Sequence, residues 1–201
     1  MIAHHGHHQY AEQICQLMEE SARARGTGIA KRSPDYIKEK IDQNKAVIAL
    51  QGEQLAGFCY IETWGHGKYV ANSGLIVHPD YRGSGLAKQI KRTIFEHSRT
   101  LYPEANIFGI TTSMAVMKIN SDLGYRPVTF SELTTDEAFW QGCQSCKNFD
   151  VLTRTERKHC LCTGMLFNPE ESAKKGEKLD KKSFERLWRI KQKLPFKKKG
   201  P

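Results

Sequence analysis

Val77-His78-Pro79-Asp80-Tyr81-Arg82-Gly83-Ser84-Gly85-Leu86-Ala87, with the apolar run Val70 to Val77 before it and an amphipathic segment after it, reads as a strand, an anion-holding turn and a helix. Arg82, Gly83 and Gly85 fall where an extended segment must turn sharply into a helix, so backbone N–H groups converge at the helix N-terminus, where an anion is favoured. Glycine has no Cβ and lets the backbone approach a pyrophosphate closely. Helical spacing from Leu86 to about Tyr102 puts Leu86, Ile90, Ile94 and Leu101 near one face and Lys88, Lys91, Arg92 and Arg99 mostly on the other. The helix dipole and these charges both favour a phosphate-bearing ligand.

Outward from that stretch, Gln9 to about Arg25 reads as a helix, with Ala11, Ile14, Cys15, Met18 and Ala22 on one apolar face. Ser33-Pro34 starts a second helix, serine as N-cap and proline at the first helical position, reaching about Asn44. Ala46 to Leu50, Leu55 to Thr63 and Tyr69 to Val77 form a meander of three strands. Beyond the central helix come a strand from Ala105 to Thr111, a short helix from Ala115 to Leu123 stopped by Gly124, and extended chain from Tyr125 to Leu133. Met1-Ile2-Ala3 leaves little for a strand at the N-terminus. The four histidines of His4-His5-Gly6-His7-His8 read as incidental rather than as a metal site.

Arg82-Gly83-Ser84-Gly85-Leu86-Ala87 resembles motif A, Arg/Gln-x-x-Gly-x-Gly/Ala, of the GNAT (GCN5-related) N-acetyltransferases. No Gly-Lys-Ser/Thr follows, so it is not a Walker loop. The element order matches that family, and the expected fold is an α/β mixed sheet flanked by helices. The resemblance implies an enzyme that uses acetyl-CoA as cosubstrate. It gives the pantetheine arm to the backbone of Ile76 and Val77, and the pyrophosphate to the N–H groups of Arg82, Gly83, Ser84, Gly85, Leu86 and Ala87. Such enzymes position two reactants and stabilise an oxyanion, so no nucleophilic cysteine is needed. Aligned on Gly124-Tyr125, the family's last-helix pattern Asn-x-x-Ala-x-x-x-Tyr puts Ser113 at the asparagine, Val116 at the alanine and Asn120 at the tyrosine that commonly protonates the thiolate. Asn120 cannot be a general acid, although it can donate a hydrogen bond to sulfur.

Glu62, in Tyr60-Ile61-Glu62-Thr63-Trp64, is the first candidate general base, with His78 and His66 as alternatives. Arg23, Arg25, Lys31 and Arg32 lie where the family places its acceptor-binding helix and loop, and cations there suit a carboxylate. The runs from Glu19 to Pro34 and from Gly57 to His66 are also similar to acetyltransferases of Bacteroidetes arginine-biosynthesis operons. That likeness, over about residues 9 to 169, implies an amino-acid acceptor, glutamate first. An amine on a protein or a polyamine is the alternative.

Cys143-x-x-Cys146 and Cys160-x-Cys162, with His159 adjacent, resemble a four-ligand structural zinc site; His159 is a substitute for one thiolate. The expected organisation is an acyltransferase domain at 1–133, a Cys-rich zinc-binding extension at 134–169 and a basic tail at 170–201. The tail holds 12 Lys and Arg against 5 Asp and Glu, a net of +7 out of the chain's +9, and an amphipathic segment from Lys181 to Lys193. A zinc-containing nucleic-acid or ribosome-associated binding protein is therefore the competing class. The absence of an apolar run near 18 residues or of a leader points to a cytoplasmic protein with no membrane partner, for which a homodimer is an open arrangement.

Overall fold

The computed structural model describes residues 1–26, 31–144, 146 and 148–172, without the side chain of Arg25. Met1–Phe167 forms one compact unit. Of the second unit, Asn168–Pro201, residues 168–172 are described, and there Asn168 Oδ1 accepts the Glu171 N–H at 3.0 Å. The tail segment from Lys181 to Lys193 lies outside the described residues.

Helices α1 (Ala11–Arg25) and α2 (Pro34–Asp42) precede strands β1 (Ala46–Gln51), β2 (Gln54–Trp64) and β3 (Tyr69–Val77). Then come α3 (Leu86–Leu101), β4 (Asn106–Thr111), α4 (Met114–Asp122), β5 (Arg126–Val128), α5 (Glu137–Gln141), α6 (Phe149–Arg154) and β6 (Thr163–Phe167). The sheet order is β1-β2-β3-β4-β6-β5. β3 and β4 are its one parallel pair, because α3 carries the chain across between them.

Local chemistry explains the boundaries. Ser33 Oγ accepts the Tyr36 N–H at 3.2 Å and Pro34 occupies the first helical turn, so α2 starts where the sequence reading put it. β2 alternates between two cores: Phe58 and Tyr60 pack with Ile14 and Ile37 under α1 and α2, whereas Cys59 and Ile61 pack with Ile90 and Ile94 of α3. Ile94 is fully buried, and Ile94→Ala would cost about 2–5 kcal/mol.

Several expectations are corrected. Gln9 and Tyr10, expected to open α1, instead end a 3-10 turn over residues 5–10 that His4 caps. The weak first strand is reduced to one bridge, Ile2 to Val47. Of the extended stretch 125–133, Arg126–Val128 is strand and Phe130–Glu132 is a 3-10 turn, closed by a Thr129/Glu132 capping box. β6 comes from the segment expected to lie outside the sheet, yet it pairs between β4 and β5. Lys91, expected on the solvent face of α3, is 2% exposed: it shares the stripe of Ile94 and Ser98, three and seven residues on. Leu101, expected on the apolar face, is exposed.

Candidate active site

The turn after β3 is held by its own side chains. Arg82 Nε donates to Val77 O at 3.2 Å and Ser84 Oγ to Tyr81 O at 2.7 Å. Gly83 and Gly85 have φ of 82° and 83°, and a Cβ on either would meet nothing within 4 Å. Their glycines are thus required by conformation, and the space beside them is open. Gly85 is the N-cap of α3, with its carbonyl accepting from Lys88 and Gln89 N, so the N–H groups of Leu86 and Ala87 have no acceptor within the helix.

Beside the turn the sheet opens. β3 and β4 pair over only three positions, Tyr69 with Asn106 to Ala71 with Phe108, and then diverge. From Asn72 onward the edge of β3 facing β4 has no strand partner among the described residues, which includes Ile76 and Val77; their ladder is to Phe58 and Gly57 of β2. A bulge helps: Gly74 has φ of 65°, and a Cβ there would lie 2.4 Å from the Tyr60 ring. A cavity of about 240 Å³ fills the splay, walled by β3 from Ala71 to Leu75 and β4 from Phe108 onward. It passes through the sheet: Arg32 and Tyr60 wall it on the α1/α2 face, Lys91 of α3 and Asn120 of α4 on the other.

On the α1/α2 face two cations share one carboxylate. Arg32 Nε donates to Tyr60 Oη at 2.9 Å, and Arg32 Nη2 stands 3.8 Å from Glu62 Oε1. Lys40 Nζ is 2.9 Å from Glu62 Oε2, and the Tyr36 ring lies 4.9 Å from Arg32 and 4.8 Å from Lys40. Burial pushes the Glu62 carboxyl up to about 7, with the Arg32 guanidinium pulling it back, and burial lowers Lys40. Glu62 is not itself on the cavity wall; Arg32 connects it to the cavity. Arg32 also borders a second pocket of about 240 Å³ together with Arg23 and Lys31. Three of the four expected acceptor cations therefore come together; Arg25 ends α1 with its side chain outside the described residues. The alternative bases are turn residues: His78 Nδ1 accepts from Asp80 N at 3.4 Å, and His66 is exposed with φ of 55°.

On the α3/α4 face, Asn120 is 2% exposed and its Oδ1 has no described hydrogen-bond partner. Ser113 caps α4, its Oγ accepting the Val116 N–H at 3.4 Å. A polar network that the sequence reading missed lies next to Asn120. Lys91 Nζ donates to Asn72 Oδ1 at 3.2 Å, Tyr125 Oη donates to the same oxygen at 3.1 Å, and Asn72 Nδ2 donates to Ser98 Oγ at 2.8 Å. Lysine at the helical spacing of Ile94 and Ser98 was the signal for it.

The cysteines line the third wall. Cys143, Cys146, Cys160 and Cys162 all border the cavity, beside Phe139 and Phe149. Burial first, then the neighbouring thiols, push Cys143 up to about 11 and Cys162 up to about 12. Among the described residues only His5, His8 and Asp42 set three metal-ligand atoms within 4.8 Å of one another, so the four sulfurs are gathered without closing into a ligand shell.

The sequence profile of the acetyltransferase (GNAT) family matches residues 11–112, just over half of the chain. The chain belongs to this family. No curated protein matches the sequence. Among solved structures it is similar to N-acetylglutamate synthase from Neisseria gonorrhoeae complexed with coenzyme A and N-acetyl-glutamate, at TM-score 0.59 and 15% identity over 84% of this chain. The match spans only 34% of that synthase. Rv2747 from Mycobacterium tuberculosis, in complex with CoA, gives TM-score 0.59 and 16% identity over 84% of this chain and 97% of its own. YncA from Salmonella typhimurium, with its cofactor acetyl-CoA, gives TM-score 0.55 and 11% identity over 81% and 90%. At such identities these likenesses show the fold, a mixed sheet flanked by helices. No described helix of the chain is long and apolar enough to cross a membrane.

Proposed function

We propose that this GNAT enzyme transfers the acetyl group of acetyl-CoA to the α-amine of an amino acid, glutamate first. The cavity carries the reading: it runs from the face bearing the phosphate turn to the face bearing Arg32, so a donor and a carboxylate-bearing acceptor can meet from opposite sides of the sheet. The pyrophosphate falls to the backbone of Arg82 to Ala87 and the pantetheine arm to the open edge of β3 near Ile76 and Val77, with Asn120 on the cavity wall; Ser113, also assigned to the donor, caps α4 and is not on that wall. Arg32, with Arg23, Lys31 and Arg25, attracts the acceptor carboxylates. Glu62 takes a proton from the acceptor ammonium through water and Arg32's neighbourhood. The free amine attacks the thioester carbonyl, the C–N bond forms, the C–S bond breaks, and the sulfur leaves as a thiol once it is protonated. The likeness to arginine-operon acetyltransferases and to the Neisseria synthase supports glutamate.

Zinc is proposed as a structural ligand of Cys143, Cys146, Cys160 and Cys162. The donor set fits by type: soft thiols within electrostatic reach of one another, needing closure by the metal. In this reading 134–169 braces the cavity while lending β6 to the sheet of the 1–133 domain, and 170–201 is an appended basic tail. One zinc per chain, released by a thiol titrant with loss of thermal stability, is expected; metal-free protein of unchanged melting temperature overturns it.

The deciding experiment is mass-spectrometric detection of acylated amines from pure protein, acetyl-CoA and an amine panel headed by glutamate. A glutamate product that vanishes in Gly83→Glu is expected. A product on polyamines or protein amines but not on glutamate overturns the acceptor assignment.

A further inference from the structure

The four histidines of His4-His5-Gly6-His7-His8 form two pairs with different partners, and the 3-10 turn over residues 5–10 is what divides them. With three residues per turn, side chains at i and i+3 eclipse one another. His4 and His7 therefore stack with ring centroids 4.0 Å apart, and His5 and His8 with theirs 4.2 Å apart. The first pair is spent on the backbone. His4 Nδ1 accepts the Gly6 N–H at 3.3 Å, and His7, 6% exposed, accepts the His4 N–H on Nδ1 at 3.0 Å. The second pair faces the end of α2.

There Asp42 turns one carboxylate oxygen to both outer rings. Its Oδ1 lies 3.3 Å from His5 Nδ1 and 2.8 Å from His8 Nε2, and the three atoms fall within 4.8 Å of one another. Among the described residues the charge of Asp42 is met by these histidines alone. The separations suit a ligand shell, since metal–ligand bonds of about 2.0–2.2 Å set neighbouring donor atoms roughly 3 Å apart. The backbone on both sides is already held. Ala3 N donates to Ala46 O at 2.8 Å, Tyr10 Oη to Glu53 O at 2.9 Å, and Ile41, beside Asp42, is 2% exposed. Donors carried on fixed elements need little ordering to bind an ion. The His5 and Asp42 side chains are open to water, which can complete the coordination.

We propose that His5, His8 and Asp42 bind one divalent transition-metal ion, at a site separate from the cysteine set. Two imidazoles and a carboxylate select zinc, nickel or copper over calcium and magnesium, whose shells are built from oxygen. The cysteines offer softer donors, so the two sets differ in chemistry as well as in place. The ligating nitrogen of each ring must be bare, so its proton moves to the other ring nitrogen or to solvent, and the two contacts to Asp42 Oδ1 give way to bonds to the ion. Coordination joins the N-terminal turn to the end of α2, 37 residues from His5 and 34 from His8 along the chain. None of the three residues lines the cavity, so the inference is independent of the acyl-transfer reading.

The test titrates the full-length protein with Zn2+ and follows the imidazole resonances by nuclear magnetic resonance. Those of His5 and His8 should move together and saturate with a single ion, well ahead of the exposed His66. Movement no greater than at His66, or none while zinc binds elsewhere, overturns the proposal. These two rings report on the site whether or not the cysteines hold zinc. In calorimetry Asp42→Asn should weaken this site by about 10-fold or more. Unchanged affinity means that the two histidines chelate alone, and it overturns the three-ligand site. Replacing both outer histidines, His5→Gln with His8→Gln, should remove one binding equivalent relative to the wild type, and an unchanged stoichiometry overturns the proposal. The wild-type spectra stand whether or not the variants fold.

Discussion

The two faces of the cavity solve the same electrostatic problem differently. On the α1/α2 face, Arg32 and Lys40 flank the one carboxylate of Glu62 and share the Tyr36 ring, so the positive charge is partly offset before any substrate arrives. On the α3/α4 face, Lys91 meets an amide, a phenol and a thiol. A compensated cluster is rigid and can hold an acceptor in register. An uncompensated one retains its attraction for the ligand that completes it.

The sharpest way to separate the faces is to break the donor face without touching either cluster. Gly83→Glu puts a side chain where φ is 82° and a carboxylate where phosphates would lie. Its kcat/KM should fall by about 10³-fold or more, while calorimetry finds acceptor binding nearly unchanged. Next comes the proposed base. Glu62 must be ionised to accept a proton, so kcat in the wild type should rise as pH climbs through about 7. Glu62→Gln should lose about 10²-fold or more and abolish that rising limb in the pH profile.

Arg32→Met probes compensation directly. It leaves Glu62 with Lys40 and removes the acceptor's guanidinium, so steady-state kinetics should show the KM for glutamate raised about 10- to 100-fold. A separate effect is on stability, with opposite sign for the two lysines. Lys91 falls from its ordinary 10.5 to about 8 on burial, so the folded state binds fewer protons than the unfolded chain between those values. The penalty of holding it charged is complete below about pH 8 and fades as pH rises toward 10.5. Lys91→Met should therefore stabilise the apo protein at pH 7, by on the order of 3 kcal/mol, with a gain that shrinks above pH 8 in thermal melts. Lys40→Met removes the nearer of Glu62's two cations, leaving Arg32 at 3.8 Å, and should lower the melting temperature.

Much of the fold was legible because its cues are local. Ser33-Pro34 caps α2, Gly83 and Gly85 carry the backbone from strand to helix, and β3 runs from Tyr69 to Val77 as its apolar pattern indicates. The insertion of β6 between β4 and β5 was not legible, since Thr163–Phe167 finds its partners more than 30 residues away and nothing in its own composition names them. The basic run around Arg32 was visible in the sequence, but the pairing of Glu62 with Lys40 was not, because it joins β2 to α2 across the core.

By itself the sequence determined the glycine turn, the helices and strands that flank it, and the family, because glycine placement, caps and hydrophobic periodicity act over a few residues. Only the tertiary structure decided which charges are neutralised. Its charge set Lys91 among the solvent-facing basic residues of α3, although its spacing to Ile94 and Ser98 also fits the inner stripe. Packing turned it inward instead, to where β3 and β4 part, and burial there is a property of the assembled layers rather than of any one segment.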